Sequence, residues 1–236
     1  MKVNALIIAA FSIIASLVSL VFFTASWFEV GWVGLWAYVG VMIVIFASLI
    51  LVMIRVSNEK SPLKTMDFAI IAMFAALLWV VDAGSMFAPG AAFFWYAVPQ
   101  LAGAILSYFP MGIVLAAALK LSPKRGTGFA VWFVYSLLGQ VFFFNPIWLT
   151  RSLMLALGLE AYNISSKRGD TRYLALMGLM FGMLVPSSSA IFQIYTWGYW
   201  QPLFATIPAA IMSGIMMAVG TILGSAIGER AKTVMY

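Results

Sequence analysis

NPIWLTRSLMLALGLEAYN, residues 145 to 163, sets two charges, Arg151 and Glu160, inside an otherwise apolar helix. If that helix crosses a bilayer, each ionisable side chain costs at least about 2.5 to 3.5 kcal/mol to insert, so each is expected to face protein or a water-filled cavity. Nine residues at about 100° apiece put Arg151 and Glu160 on opposite sides of the helix and about 13 Å apart along its axis, so they cannot pair with each other. Each needs its own partner. Ser152, Ala156, Asn163 and, slightly to one side, Glu160 share a face and give one flank a polar lining. Asn145-Pro146 reads as a tight turn, with Pro146 tolerated in the first helical turn, where its missing N–H has no intrahelical acceptor anyway. Two blander alternatives stand beside a functional role: Arg151 snorkelling to the nearby surface, and Glu160 bonding a neighbouring helix.

The rest of the chain supports a membrane setting. Of its 236 residues 64% are hydrophobic and 8% charged, against about 25% charged in a soluble domain. The net charge of +6 comes from short basic clusters between apolar runs, which are topology signals and not a nucleic-acid-binding stripe. With no Cys and no His, the chain lacks a thiol nucleophile, a disulfide, the base of a serine triad and the usual metal ligands, so neither a metal nor a cofactor is expected. The first apolar run, Ala5 to Trp27, is longer than a signal h-region and has no small-x-small cleavage site, so it reads as a membrane helix.

Splitting at charged clusters and turn residues, with about 20 apolar residues per span, gives eight helices: 4–26, 33–55, 67–88, 93–120, 128–144, 146–166, 172–195 and 202–228. This is an all-α integral membrane fold, with residues 1–60 as an amino-terminal two-helix extension and 61–236 as a six-helix domain. If the spans alternate, Lys2, the Arg55–Lys64 cluster, Lys120–Arg125, Lys167–Arg172, Arg230 and Lys232 all fall on one side. The opposite loops carry no Lys or Arg, and Arg151 alone departs from the pattern. By the positive-inside rule the protein is expected in the cell membrane, multi-pass, with both termini cytoplasmic.

Several residues on this frame are chemically suggestive. Asp82, in Trp79-Val-Val-Asp82-Ala-Gly-Ser, lies toward the outside of the 67–88 span, placed either to meet a cation or amine or to pair with Arg151. Trp79, Trp95, Tyr96, Trp148 and Trp197 are placed to stack an aromatic ring, although Trp and Tyr also gather at membrane interfaces without any ligand. Small residues recur at helix-packing spacing: Ala69, Ala72 and Ala76; Gly178 and Gly182; Gly220, Gly224 and Gly228. Internal packing in lipid accounts for such stripes without a partner. Pro99, Pro110, Pro186 and Pro208 are expected to kink their helices, with Pro186-Ser-Ser-Ser a candidate unwound or polar-lined segment.

Residues 67–228, a small and very hydrophobic six-helix unit with the stripe Ala69, Ala72 and Ala76 on its first helix, resemble the substrate-binding S component of an energy-coupling factor (ECF) transporter. The stretch from Asn145-Pro146 through Leu149-Thr150 to Gly158-Leu159-Glu160-Ala161 looks most like the branch assigned to thiamine and its hydroxymethylpyrimidine precursor. The two amino-terminal helices are not part of the usual six-helix unit. The resemblance implies a non-enzymatic vitamin-binding subunit that docks, through Ala69, Ala72 and Ala76, on a transmembrane coupling subunit driven by two cytoplasmic ATPases. The chain has no G-x-x-x-x-G-K-[ST] phosphate loop of its own.

The expected partners are therefore a small vitamin ligand, membrane lipid, the coupling subunit and the ATPases, with no nucleic acid. Glu160, Asp82 and Asn163 would supply polar contacts, and Glu160 is the favoured acid for an amine-bearing heteroaromatic ligand, because a carboxylate in a dry pocket gives strong charge-assisted hydrogen bonds. Two readings compete: a lipid-modifying membrane enzyme using Asp82 and Glu160, and a non-catalytic assembly subunit that needs no pocket.

Overall fold

The computed structural model describes residues 63–87, 104–142, 146–197 and 203–235. The expected spans 4–26 and 33–55, with the whole amino-terminal extension, lie outside the described residues, as do Pro99, Trp95 and Tyr96.

Every regular element among the described residues is helical. Helix α1 runs Thr65–Phe87. A π-helical turn, Ala104–Tyr108, leads into α2, Phe109–Leu121, whose proline at position 110 sits in its first turn. Then come α3 (Thr127–Phe142), α4 (Pro146–Ser165), α5 (Thr171–Trp197) and α6 (Leu203–Met235). Two of them, α1 and α6, are long and apolar enough to cross a membrane.

Contacts between neighbours close the six helices into a ring in the order α1, α3, α4, α5, α6, α2 and back to α1. The inner faces meet in one apolar core: Ile70, Phe74 and Leu78 of α1, Met111 and Leu115 of α2, Val131 and Trp132 of α3, Leu159 of α4, Met177, Met180 and Phe181 of α5, and Met217 of α6. The outer faces are apolar too. Met66, Met73, Leu77 and Val80 of α1 and Ile211, Ile215, Val219 and Leu223 of α6 are exposed, so the outward faces of these two helices are largely hydrophobic.

The two kinds of small-residue stripe part company here. The glycines of α5 and α6 serve close packing: a side chain on Gly182 would strike the Ser213 carbonyl, and one on Gly220 or Gly224 would strike the Phe109 or Ile113 carbonyl. Helix backbones touch at these points, and only a residue without Cβ fits. Ala69, Ala72 and Ala76, by contrast, are exposed on α1.

Two expectations are corrected. Pro186 does not unwind its segment, since α5 continues through it to Trp197. Pro186 removes one N–H from the ladder, and the serines that follow bond back within the helix: Ser187 Oγ donates to the Met183 carbonyl at 2.6 Å and Ser188 Oγ to the Val185 carbonyl at 2.9 Å. The last helix also outruns its expected end at 228 and reaches Met235. Its charges continue the helix instead of stopping it, because Glu229 pairs with Lys120 of α2 and Lys232 sits in the final turn, where a cation suits the helix dipole.

Candidate functional site

Polar side chains inside the ring collect in two layers, one at each end of the core. Along α1 they are marked by Asp67 and Asp82, fifteen residues and hence about 22 Å apart. The first layer lies where the basic loops gather. Lys124 binds Asp67 Oδ2 at 2.6 Å, Ser122 Oγ donates to Asp67 Oδ1 at 2.7 Å, and the Lys64 backbone N–H donates to Oδ2 at 2.7 Å. Lys120 donates to the Gly169 carbonyl and pairs with Glu229, tying α2 to the α4–α5 loop and to α6.

Glu160 belongs to this basic layer. It is 1% exposed, and both its oxygens are taken by backbone amides at the start of α3: Gly126 N–H donates to Oε1 at 2.6 Å and Phe129 N–H to Oε2 at 3.1 Å. Unpaired N–H groups at a helix N-terminus attract an anion, and Glu160 supplies it from the neighbouring helix. The turn needs glycine at position 126, where φ is +87°, and Gly128 leaves room for the carboxylate, since a Cβ there would press on Oε2. Asn163 bonds the Glu160 side chain and donates from Nδ2 to the Lys124 carbonyl at 3.4 Å. The expected ligand acid is thus placed as a helix anchor, and its partner Asn163 braces the same loop.

The second layer sits at the opposite end, and α1, α3, α4, α5 and the π-helical turn before α2 each send a residue to it. From α1, Asp82 accepts a 2.6 Å hydrogen bond at Oδ2 from the Tyr135 hydroxyl of α3. From α4, Arg151 donates through Nε to Ser188 Oγ at 2.9 Å and through a terminal nitrogen to the Val185 carbonyl at 2.6 Å, both on α5. From the π-helical turn, Ser107 shares a 2.7 Å hydrogen bond with Ser85, whose Oγ also donates to the Asp82 carbonyl at 2.7 Å. Tyr108 of the same turn lies within range of the charges of both Asp82 and Arg151, and a π turn at such a junction is a common way to present side chains inward.

Arg151 is 6% exposed, which overturns the snorkelling alternative: the side chain crosses into the ring and holds α5. Beneath the layer lies Trp132, 2% exposed, with its ring edge-on to Tyr135 and to Phe181 at 5.2 Å each and its indole N–H without a hydrogen-bond partner. Asp82 itself is half-buried, and among the described residues nothing donates to its Oδ1.

Of the residues expected at the site, Asp82 is in the second layer, and Trp79 on the same helix is half-buried, with its indole nitrogen facing Gly139 of α3. Glu160 and Asn163 are in the first. Trp148 and Trp197 lie on α4 and at the end of α5, with side chains outside the described residues. Tyr135, Tyr108 and Trp132 were not singled out from the sequence, because one aromatic among many in an apolar helix carries no mark of a polar role. Among the described residues no three acidic side chains converge. Compared with known proteins, the chain matches no protein family, no curated protein and no solved structure.

Proposed function

We propose that the chain is a multi-pass membrane subunit that binds a small heteroaromatic ligand, the S component of an energy-coupling factor importer for thiamine or its pyrimidine precursor, with its site in the Asp82–Tyr135–Arg151 layer. The observation that carries this reading is the contrast in carboxylate use. Glu160 has both oxygens committed to backbone amides, whereas Asp82 keeps an oxygen without a donor at the end of the ring away from the basic loops. Under the positive-inside rule that end faces outward, where a captured solute arrives. The long apolar stretches of α1 and α6 suit a lipid environment, and polar groups from five helical elements around a half-buried carboxylate are what a small-molecule site requires. The outward face of Ala69, Ala72 and Ala76 suits close approach by a helix of a coupling subunit. In this reading the protein is not an enzyme, sits in the cell membrane with both termini cytoplasmic, and relies on a coupling subunit and two ATPases for transport.

Mild purification followed by mass spectrometry of the released small molecules tests the binding role. A stoichiometric heteroaromatic compound is the expected result, and a chain that carries none and binds no vitamin in calorimetry would end the proposal. The docking role is separable: Ala72→Trp is expected to abolish uptake in cells while ligand binding by the purified chain stays within about twofold, because the residue is exposed and has no core to disturb.

A further inference from the structure

Among the described residues two buried side-chain polar atoms have no hydrogen-bond partner, Trp132 Nε1 and Ser165 Oγ. The two are not equivalent. A serine hydroxyl turns about its C–O bond to suit what is near it, whereas the indole N–H is a donor only and is fixed in the plane of its ring. Trp132 is also 2% exposed and stands in the core, so its N–H has left water without a replacement. Phenylalanine would fill apolar surroundings without that cost, and a buried tryptophan ordinarily finds an acceptor. Its neighbours connect it to the second layer. Tyr135, which holds Asp82 through a 2.6 Å hydrogen bond, comes three residues later on α3, so Trp132 starts about 4.5 Å deeper on the same side of that helix. The two rings meet edge-on at 5.2 Å, and Trp132 meets Phe181 of α5 at the same distance. Asp82, Tyr135, Trp132 and Phe181 are thereby linked contact by contact. Among the described residues this set holds an acceptor short of a donor, Asp82 Oδ1, and a donor short of an acceptor, the indole N–H.

From this complementarity we infer that the Trp132 indole N–H is a ligand contact, donating to an acceptor in the ring of the flat molecule that the second layer binds. The inference rests on the proposed binding role and adds a requirement to it: the ligand carries a ring acceptor as well as an amine. A pyrimidine nitrogen meets that requirement, and a carbocyclic ring of the same outline does not. Trp132 is sealed inside the ring of helices, so the acceptor reaches it as the contacts around it part, and the orphaned N–H gains its bond on binding. A ligand that pairs the donor in the opened state and not in the closed one shifts the population toward the opened state.

Calorimetry on the purified full chain tests this with two probes: 4-amino-5-hydroxymethyl-2-methylpyrimidine, and its benzene analogue in which both ring nitrogens are replaced by C–H. The pyrimidine is expected to bind about tenfold more tightly, a difference of about 1.4 kcal/mol. Trp132→Phe removes the N–H and keeps an aromatic ring, so it is expected to erase most of that advantage. Equal affinities in the unmodified protein, or an advantage that Trp132→Phe leaves intact, overturn the inference and leave the binding role standing. If neither probe binds, the inference falls together with the proposed ligand class. NMR of the chain with its tryptophans labelled at the indole nitrogen gives a second readout. The Trp132 signal, identified by its absence from the Trp132→Phe spectrum, is expected to move downfield when the pyrimidine is added, as a proton entering a hydrogen bond does. A signal that stays in place at saturating pyrimidine assigns Trp132 to packing and overturns the inference. The comparison between probes is made on the unmodified protein, so the inference stays open to refutation even if the variant fails to fold.

Discussion

Glu160 and Asp82 are both acids inside a ring of apolar helices, yet the structure treats them in opposite ways. At the basic end Glu160 is buried and saturated by two backbone amides and Asn163. At the other end Asp82 is half-buried and takes one phenol, the Tyr135 hydroxyl. The difference teaches that burial and charge alone do not mark a ligand site. An acid whose lone pairs all meet the fold's own orphan donors is part of the scaffold, and an acid with acceptor capacity to spare is available for chemistry.

Three substitutions break or sharpen this contrast. The largest effect is expected from Arg151→Met, which removes the cation of the second layer together with its hydrogen bonds to Ser188 and the Val185 carbonyl. Leaving buried acceptors without their donor typically costs about 1 to 3 kcal/mol for each group, more when the donor is charged. Thermal unfolding followed by helical circular dichroism in detergent should show the loss, and an unchanged midpoint would mean that these bonds do not hold α4 to α5.

A smaller but cleaner effect is expected from Glu160→Gln. The amide retains one acceptor but turns an N–H2 toward a backbone donor at the start of α3, so about 2 kcal/mol of stability should be lost, within the range for hydrogen bonds to charged groups. Ligand affinity should stay within about twofold, read by calorimetry on the folded variant. A tenfold loss of affinity with unchanged stability would reverse the roles assigned to the two acids. The smallest effect is expected from Tyr135→Phe, which deletes one hydroxyl from Asp82 and should cost about 1.5 kcal/mol in the same unfolding assay.

Much of the fold was legible because it rests on periodic, local signals. Runs of about 20 apolar residues separated by basic clusters locate α1 and α3 to α5 to within a few residues, and the glycine spacing of α5 and α6 points to close helix packing, which the structure bears out. The separation of Arg151 from Glu160 was legible for the same reason, since the pitch of a helix fixes it. Their partners were not. Glu160 finds its donors at residues 126 and 129 and Arg151 its acceptors at 185 and 188, more than thirty positions away in each case, and only the order of helices around the ring brings them together. Glu160, favoured from the sequence as the ligand acid, illustrates the gap. Its face and its cost in an apolar helix were read correctly, but the unpaired amides of the next helix end, which satisfy it, leave no trace in its own sequence. Tyr135 escaped notice because phenols and phenyls are interchangeable in a hydropathy pattern until the acid opposite is known.

The glycine seam has a consequence for movement. Where the backbones of α2, α5 and α6 touch at Gly182, Gly220 and Gly224, no side chains intervene to slide or to change rotamer, so those three helices form a block with almost no play. Helices α1 and α3 meet instead through side chains, joined across the far layer by one hydroxyl and one carboxylate. On the proposed binding role, the α1–α3 contact is where the ring would open to admit a solute, with the glycine-locked half as the fixed jaw.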